Sequence, residues 1–255
     1  MRRRQSRFGV WRTEKQTVKM ATTRTGGSDK SKPFDMAYHG HINTLKPLLA
    51  QNEKLKTQTD ENQRTLLHWA ALGGHDDVVC HLLSLGVPVD PRDDMEMTPL
   101  ILAASAGREK VVNILLKEGA DINAKTSEGH SALQYAASKN YKSICANLLE
   151  KEANINIADK RGATPLHRAA SKGNLEIVKL LVESGEHLNI DQRDCYGCTA
   201  LHLTCEEDRQ EEAKILVTNG ADLHTKNKEE KCPLDYCNRG LAKELLEIAE
   251  SRSNN

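Results

Sequence analysis

The sequence has few aromatic residues, no long apolar run and no net charge. Phe, Trp and Tyr make up 4% of its 255 residues, and no stretch approaches the ~18 apolar residues that a membrane span requires. Because 36 basic residues balance 36 acidic ones, the charge gives no reason to expect a nucleic acid or a membrane as partner. The seven scattered cysteines cannot form a fully paired disulfide framework, which favours a reducing compartment.

The balanced charge hides an uneven distribution along the chain. Residues 1–31 contain nine basic and two acidic residues, a net charge of +7, so the remainder carries 27 basic and 34 acidic residues, a net charge of −7. The basic head is rich in Ser and Thr and lacks apolar periodicity, so we expect it to be disordered. Its Arg-rich composition is also compatible with a mitochondrial transit peptide. We assign it no function.

A six-residue segment recurs along the chain at a constant spacing. Its copies begin at Lys32, Thr65, Thr98, Ser131, Thr164, Thr199 and Cys232. The intervals are 33 residues, except for one of 35 between the copies at 164 and 199. A 33-residue period with the pattern Thr-Pro-Leu-His-x-Ala is the signature of ankyrin repeats. The sequence therefore predicts an all-α ankyrin-repeat solenoid of about seven helix-turn-helix repeats with hairpin fingers over residues 32–250, between the disordered head and a disordered tail at residues 251–255.

The residues of one unit explain why it forms two short helices. Thr164 caps the first helix, and Pro165 supplies the backbone angle of its first turn. Leu166 and Ala169 lie on one face of that helix, and Gly173 ends it before a second helix with paired aliphatic residues. Because no unit can bury its apolar face alone, the units must stack.

Two departures from the period are informative. The 35-residue interval adds two residues to one unit, and we expect them in the hairpin between Asp191 and Cys198, where they would lengthen one finger. The copies that begin at Lys32 and Cys232 are degenerate, with polar residues in core positions. Such units are expected to cap the two ends of the stack.

No cluster of residues predicts catalysis. Cys195 and Cys198 have the C-x-x-C spacing of a zinc or redox site, but there is no second pair, so two surface thiols are the preferred interpretation. His68, His167 and His202 share one position of the repeat that other copies fill with Ile, Gln or Asp, which indicates hydrogen bonding rather than metal binding. Phosphate-binding loops, nucleophile elbows and zinc-protease motifs are missing. We therefore expect neither an enzyme nor a cofactor.

One short motif allows a second interpretation. Leu203, Cys205 and Glu207 spell L-x-C-x-E, which docks to retinoblastoma-type pocket proteins. Such motifs bind as extended peptides, whereas Leu203 lies inside the first predicted helix of its repeat, so binding would require local unfolding. The alternative is a helix that needs these residues for packing.

Charged residues recur on the predicted concave face of the stack. The basic ones are Arg64, Arg108, Lys139 and Lys172. Acidic residues in the adjacent fingers are Asp60, Asp93 and Asp94. Such a mixed face suits a protein partner that presents both signs of charge. The alternative is a solvated surface without a partner.

Several segments go beyond the general repeat pattern and resemble the gankyrin family. They are Leu67–Ala71 (LHWAA), Ala103–Arg108 (AASAGR), Tyr135–Asn140 (YAASKN) and Asn227–Lys231 (NKEEK). That family comprises ankyrin-repeat non-ATPase subunits associated with the regulatory particle of the 26S proteasome. The resemblance runs in register from about residue 32 to residue 250, and residues 1–31 have no counterpart in it.

The resemblance implies a non-catalytic chaperone in the cytoplasm and nucleus, and a solenoid capped at both ends is most simply a monomer. Family members hold the C-terminal domain of one proteasomal ATPase on the concave face while the regulatory-particle base assembles. They are also known as partners of a cyclin-dependent kinase, a retinoblastoma-type protein and a ubiquitin ligase. The family's charged contact positions fall on Arg64, Asp94, Arg108 and Lys139. Its pocket-protein motif falls on the L-x-C-x-E sequence.

A cell-cycle adaptor that resembles the ankyrin inhibitors of cyclin-dependent kinases is the competing class. Those inhibitors have fewer repeats than the seven found here, which favours the chaperone. For the chaperone we expect that reversing the charge of Arg64 or Lys139 speeds dissociation of the partner without unfolding the stack.

Overall fold

The computed structural model describes residues 32–184 and 187–253, and this part of the chain contains helices and loops but no strand. Its α-helices are α1 (Lys32–Tyr38), α2 (Ile42–Gln51), α3 (Leu66–Gly73), α4 (Asp76–Ser84), α5 (Pro99–Ser105), α6 (Glu109–Lys117), α7 (Ala132–Lys139), α8 (Lys142–Glu150), α9 (Pro165–Lys172), α10 (Leu175–Glu183), α11 (Ala200–Glu206), α12 (Gln210–Thr218) and α13 (Arg239–Ser253). Two 3-10 helices span Glu53–Lys56 and Pro233–Tyr236. The predicted basic head lies outside the described residues.

The helices stack in two layers. In the inner layer α1, α3, α5, α7, α9 and α11 contact one another in order, and in the outer layer α4, α6, α8, α10 and α12 do the same. The sixth residue of the repeated segment is fully buried between inner helices at Ala70, Ala103, Ala136 and Ala169. This small side chain lets neighbouring helices approach closely. The predicted all-α ankyrin-repeat solenoid is confirmed.

One hydrogen bond joins each of the four inner helices α3, α7, α9 and α11 to the unit that follows it. In α9, His167 Nδ1 accepts from the backbone N–H of Thr164 at 3.2 Å, and Nε2 lies 3.1 Å from the carbonyl oxygen of Cys198 in the next unit. Because a backbone N–H can only donate, Nδ1 is unprotonated and Nε2 donates. Gln134 makes the same two bonds in α7, from Ser131 N to Oε1 at 2.9 Å and from Nε2 to the Ala163 carbonyl oxygen at 2.6 Å.

The same bond recurs in α3 and α11 but is missing in α5. His68 Nε2 bonds the Met97 carbonyl oxygen at 3.0 Å, and His202 Nε2 bonds the Lys231 carbonyl oxygen at 3.2 Å. In α5 the position is occupied by Ile101, which is fully buried and offers only apolar packing. The prediction that these histidines hydrogen-bond a neighbouring turn is therefore confirmed.

A second set of contacts fixes the far ends of the inner helices. Arg108, which precedes α6, donates from Nε to the carbonyl oxygen of Leu72 in α3 at 3.0 Å. Gly74 ends α3 with a φ of +85°, and a Cβ there would lie 2.6 Å from Arg108 Cδ. Glycine is therefore required both for the left-handed backbone and for the space that the next unit's side chain fills. His75 makes the equivalent bond to the Tyr38 carbonyl oxygen at 2.8 Å.

The structure corrects the predicted position of the two extra residues. Asp191 accepts from the backbone N–H of Asp222 at 2.9 Å, just as Asn156 accepts from that of Asn189 at 2.8 Å, so the finger after Asp191 keeps the register of its neighbours. The extra residues instead fall between the end of α10 at Glu183 and Asn189. They lengthen the connection behind the finger and leave its tip unchanged.

Both terminal units differ from the central ones. The last unit replaces its first helix by the 3-10 helix Pro233–Tyr236 and then forms α13, which with 15 residues is the longest of the described helices. The helix α13 continues to Ser253, three residues beyond the predicted end of the repeats at 250, so the predicted disorder of residues 251–253 is wrong. Residues 254–255 lie outside the described part of the chain.

Truncating a central core residue should weaken the whole stack. Leu166 in α9 is 1% exposed, and we expect Leu166→Ala to lower the free energy of unfolding by about 2–5 kcal/mol. Lys172→Ala changes an exposed residue of the same helix and should cost less than about 0.5 kcal/mol. Urea denaturation followed by circular dichroism measures both. An unchanged midpoint for Leu166→Ala would contradict its position in the core.

The buried histidines should make the stack sensitive to mild acid. Burial lowers the pKa of His167 below 6.5, its usual value. As pH falls through about 6.5, the unfolded chain therefore takes up a proton that the folded chain refuses, and stability is lost by up to about 1.4 kcal/mol per pH unit and histidine. His167→Gln copies Gln134, so it should keep both hydrogen bonds and lose stability less steeply between about pH 7.5 and pH 5.5. Equal slopes for the variant and the parent would contradict this account.

Candidate protein-binding face

A polar side chain closes each finger that precedes an inner helix. In the second finger, Asp93 Oδ1 accepts from the backbone N–H groups of Met95 at 2.9 Å and Met97 at 2.8 Å. The same arrangement recurs at Asp60, Asp159, Asp194 and Asn227. Successive fingers are then joined by single backbone bonds, such as the one from Ser127 N to the Met95 carbonyl oxygen at 2.9 Å. The fingers therefore form one continuous edge of the stack.

In three of these residues, Asp60, Asp93 and Asp159, the second carboxylate oxygen accepts a hydrogen bond from the preceding finger or from the inner helix. Asp93 Oδ2 accepts from Arg64 Nε at 2.9 Å, and Asp60 Oδ2 accepts from Trp69 Nε1 at 2.9 Å. The third case is Asp159, whose Oδ2 pairs with the Arg168 guanidinium. These contacts tie each finger to the body of the stack.

The ion pair between Arg64 and Asp93 removes Arg64 from the surface. Arg64 is 5% exposed, and its guanidinium carbon lies 5.3 Å from the centre of the Trp69 ring. The expectation that its charge can be reversed without harm to the stack is therefore wrong, because Arg64→Glu would bury a second carboxylate beside Asp93. The sequence pattern places Arg64 among surface charges because exposed and buried arginines look alike in sequence.

The remaining predicted contact residues are exposed. Lys139 and Lys172 are the last residues of α7 and α9, which are neighbours in the inner layer. Asp94 is exposed at the tip of the second finger. Arg108 is exposed as a residue but uses its Nε to hold the Leu72 carbonyl oxygen, so part of its role is structural.

The exposed charges on the fingers are of both signs. The first three fingers carry the acidic residues Glu61, Asp94, Glu96 and Glu128, and the second and third also carry the basic residues Arg92, which pairs with Glu96, and Lys125. The fourth and fifth fingers carry the basic residues Lys160, Arg161 and Arg193. We call these residues, together with Lys139 and Lys172, the inner face. A partner for this face must present groups of both signs.

The L-x-C-x-E sequence is folded into helix α11. Leu203 is 2% and Cys205 3% exposed, and Glu207 is an exposed residue at the end of the helix. An extended peptide cannot be presented from this segment while α11 is intact. Docking through this motif would require the helix to unfold.

Leu203 also leaves a carboxylate oxygen unpaired. It occupies the position at which Trp69 and Arg168 donate to their own finger aspartates, and Ala163 stands where Arg64 does in its unit. Among the residues that the structure describes, no hydrogen-bond partner reaches the buried Oδ2 of Asp194. Leu203 therefore leaves a buried carboxylate without a hydrogen-bond donor, which is unfavourable for the fold.

The two cysteines of the C-x-x-C sequence lie in different environments. Cys195 is exposed, whereas Cys198 is buried, with its Sγ 3.6 Å from the Asn227 Nδ2 donor. Over residues 32–184 and 187–253, no group of His, Cys, Asp and Glu side chains is arranged to hold a metal ion. In the same ranges, no helix has the length and apolar character of a membrane span.

No pattern in the sequence predicts the charge cluster around Asp159. Burial by itself would raise the pKa of this carboxyl group, but the hydrogen bond from His130 and the charge and hydrogen bond of Arg168 lower it to about 2. The cluster links the third finger, the fourth finger and α9. The three side chains come from separate segments of the chain and are brought together only when the units stack.

Replacing Asp194 and Asp159 by Asn should change stability in opposite directions. Asp194→Asn removes an unpaired buried charge and keeps the oxygen that accepts from the finger backbone, so we expect a gain of about 1 kcal/mol. Asp159→Asn removes the counter-charge of Arg168, and we expect a loss of about 3 kcal/mol. Urea denaturation at neutral pH measures both. Equal losses would show that Asp194 is as well paired as Asp159.

Solved structures share this fold. The human ASB11 ankyrin repeat domain has a TM-score of 0.73 at 26% sequence identity, covering 85% of this chain and 96% of that one. The ankyrin repeat domain of Bcl-3 has a TM-score of 0.76 at 24% identity, covering 84% and 97%. The second likeness concerns the fold alone.

Comparisons of the sequence identify a family and also find relatives that match only part of the chain. The 26S proteasome non-ATPase regulatory subunit 10 is 48% identical in Rattus norvegicus and 45% identical in Homo sapiens, over 60 residues. The match covers 24% of this chain and 26% of those proteins, so the chain spans about a quarter of the length of the curated relatives it matches. Ankyrin repeats in three copies match residues 34–126 and 123–192, and a further ankyrin repeat matches residues 196–228. Because these matches cover more than half of the chain, it belongs to the ankyrin-repeat family.

Proposed function

We propose that this chain is a non-catalytic chaperone for assembly of the 26S proteasome regulatory particle. In this role its inner face holds the C-terminal domain of one proteasomal ATPase subunit, and it acts in the cytoplasm and nucleus. The coarser statement, that the chain is an ankyrin-repeat protein built for interaction with other proteins, follows from its family. The ATPase partner and the chaperone role are the finer steps of the proposal.

The observation that carries the proposal is the combination of a specific relative with a suitable face. One stretch of 60 residues is 45–48% identical to a proteasomal non-ATPase regulatory subunit. The inner face meanwhile presents exposed groups of both signs, among them Asp94 and Glu128 on the acidic side and Lys160 and Arg161 on the basic side. Charge complementarity of this kind governs the rate and specificity of association between proteins.

The basic residues of the inner face and its surroundings differ in their exposure and contacts. Arg64 is committed to Asp93, and Arg108 is partly committed to the Leu72 carbonyl oxygen. Lys139 and Lys172 lie at equivalent ends of adjacent inner helices and are exposed. We therefore assign the basic part of the interaction to Lys139 and Lys172, together with Asp94 on the acidic side.

The competing function, a cell-cycle adaptor for a cyclin-dependent kinase or a pocket protein, has less support. Its main sequence signal is L-x-C-x-E, of which Leu203 and Cys205 are buried. Using the motif would cost the stability of α11 and of both units that pack on it. Binding of a pocket protein to the folded chain through these residues would favour that function over the chaperone.

Reversing the exposed lysines should weaken binding of the ATPase domain while the stack stays folded. Isothermal titration calorimetry would pair the full chain with the C-terminal domain of each proteasomal ATPase. We expect one tight partner, with Lys139→Glu and Lys172→Glu each weakening its binding about tenfold and less at high salt. Lys110→Glu makes the same charge change on the exposed side of outer helix α6 and should alter the affinity less than about twofold.

Two results would contradict the proposal. The first is the absence of binding to any ATPase domain, which would leave the fold intact and the partner wrong. The second is tight binding that Lys139→Glu, Lys172→Glu and Lys110→Glu all leave equal, which would exclude the inner face. Melting curves of each variant show whether a lost affinity reflects a lost fold.

A further inference from the structure

The fourth and fifth fingers, residues 158–163 and 193–198, expose charges of one sign. Lys160 and Arg161 are exposed in the fourth finger, and Arg193 is exposed in the fifth. The acidic residues within these two ranges are the aspartates that close the fingers from beneath, and both of them are buried. The second and third fingers, by contrast, expose acidic and basic residues together. The surface of the fourth and fifth fingers is therefore locally basic.

The basic side chains of these two fingers have donors available for a ligand. The side chains of Lys160 and Arg161 form no ion pair and no hydrogen bond with the residues that the structure describes. Arg193 donates from Nε to the Gly197 carbonyl oxygen at 3.2 Å and from Nη2 to the Lys226 carbonyl oxygen at 2.8 Å. Because a guanidinium has five N–H groups, these two bonds fix its position and leave donors for a carboxylate.

An exposed aromatic ring accompanies the basic side chains. Tyr196 is 40% exposed, one of two large apolar side chains that are exposed in the described part of the chain. Its backbone N–H donates to Asp194 Oδ1 at 2.9 Å, and its carbonyl oxygen accepts from Lys228 N at 2.9 Å. The residue before it, Cys195, donates its backbone N–H to the Arg161 carbonyl oxygen at 2.7 Å. A ring on so firmly held a backbone loses little conformational entropy on binding, and Tyr and Arg are the residues that most often dominate binding energy.

Acidic residues border this surface on both sides. The third finger exposes Glu128, whose carbonyl oxygen accepts from the backbone N–H of Lys160 at 3.1 Å, and the sixth finger exposes Glu229 and Glu230. A nucleic acid backbone would need a longer basic surface, because its phosphates follow one another without interruption. A short acidic segment of a protein fits between the borders. Its carboxylates can pair with the guanidinium groups, and an apolar side chain can pack on the tyrosine ring.

The repeat geometry sets the length of such a segment. Packed helices of adjacent units lie about 8–10 Å apart, and the backbone bond from Cys195 to Arg161 joins their two fingers directly. An extended chain advances about 3.3–3.6 Å per residue. About three residues of a ligand therefore reach from the fourth finger to the fifth.

We propose that Lys160, Arg161, Arg193 and Tyr196, which we call the basic patch, bind a short acidic segment of a partner protein. This segment carries an aromatic or apolar side chain about three residues from a carboxylate. The proposal rests on the proposed function in one respect, the use of the inner face for binding, and it names the chemistry that two of the fingers recognise.

The first test identifies the chemistry of the ligand without choosing a partner. A random peptide library displayed on phage is selected against the full chain and, in parallel, against the double variant Lys160→Glu, Arg161→Glu. We expect the parent to enrich peptides that have Asp or Glu within about three residues of an aromatic or apolar residue, and the variant to lose them. Enrichment of basic peptides, equal enrichment by the variant, or no enrichment would each overturn the proposal.

The second test measures how each side chain contributes. The enriched peptide is labelled with fluorescein, and its binding to the full chain is followed by fluorescence anisotropy. We expect Arg161→Glu to weaken binding about tenfold at low salt and less at high salt, and Tyr196→Ala to weaken it about tenfold at either salt concentration. Tyr196→Phe keeps the ring and Lys110→Glu changes a charge on outer helix α6, so both should stay within about twofold of the parent.

Two results of the second test would contradict the proposal. The first is unchanged affinity in Arg161→Glu and Tyr196→Ala when melting curves show that both variants are folded. The second is binding of labelled oligo(dT) as tight as that of the peptide and equally dependent on Arg161, which would assign the basic patch to a nucleic acid.

The outcomes separate this proposal from the proposed function. If acidic peptides bind through Arg161 and Tyr196 but no proteasomal ATPase domain binds, the basic patch is correct and the chaperone role is wrong. If an ATPase domain binds and no acidic peptide is enriched, the chaperone role survives and the basic patch is wrong.

Discussion

The structure depends on one hydrogen bond that passes from unit to unit. A side chain at the fourth position of the repeated segment accepts from its own helix start and donates to a carbonyl oxygen of the next unit, as His167 does to Cys198. It sets the spacing of the inner helices, and with it the line of fingers. Gln134 shows that the geometry rather than the imidazole is required. At Ile101 the bond is replaced by apolar packing, so the stack tolerates a missing link when the core around it is filled.

The need to close each finger divides the charged residues into two groups. Asp93 and Asp159 lie under the surface and must be paired, which consumes Arg64 and Arg168. Lys139 and Lys172, at the ends of inner helices, are exposed. The charges that hold the stack and the charges that can meet a partner therefore alternate along the same face, and substitutions in the two groups have different consequences.

Periodicity was sufficient to predict the units, their helices and their order, because every unit repeats the same caps and the same apolar positions. Periodicity did not predict which charged residues lie on the surface. Arg64 and Lys139 look alike in the sequence pattern, and only the stacked structure shows that Arg64 is buried in an ion pair with Asp93. The two extra residues were misplaced because the spacing of the repeated segments does not reveal where within a unit an insertion falls. The contacts of Asp159 with His130 and Arg168 join residues from different segments of the chain. No local pattern predicts them.

We propose that exposed charges of the inner face bind an ATPase domain, while buried charges hold the stack together. Hydrogen–deuterium exchange of the full chain, with and without the C-terminal domain of the ATPase that it binds, separates these two roles. We expect the partner to slow exchange in the fingers and at the ends of α7 and α9, and to leave the outer helices α6, α8 and α10 unchanged. Protection confined to the outer helices, or to α11 and the capping unit, would contradict it.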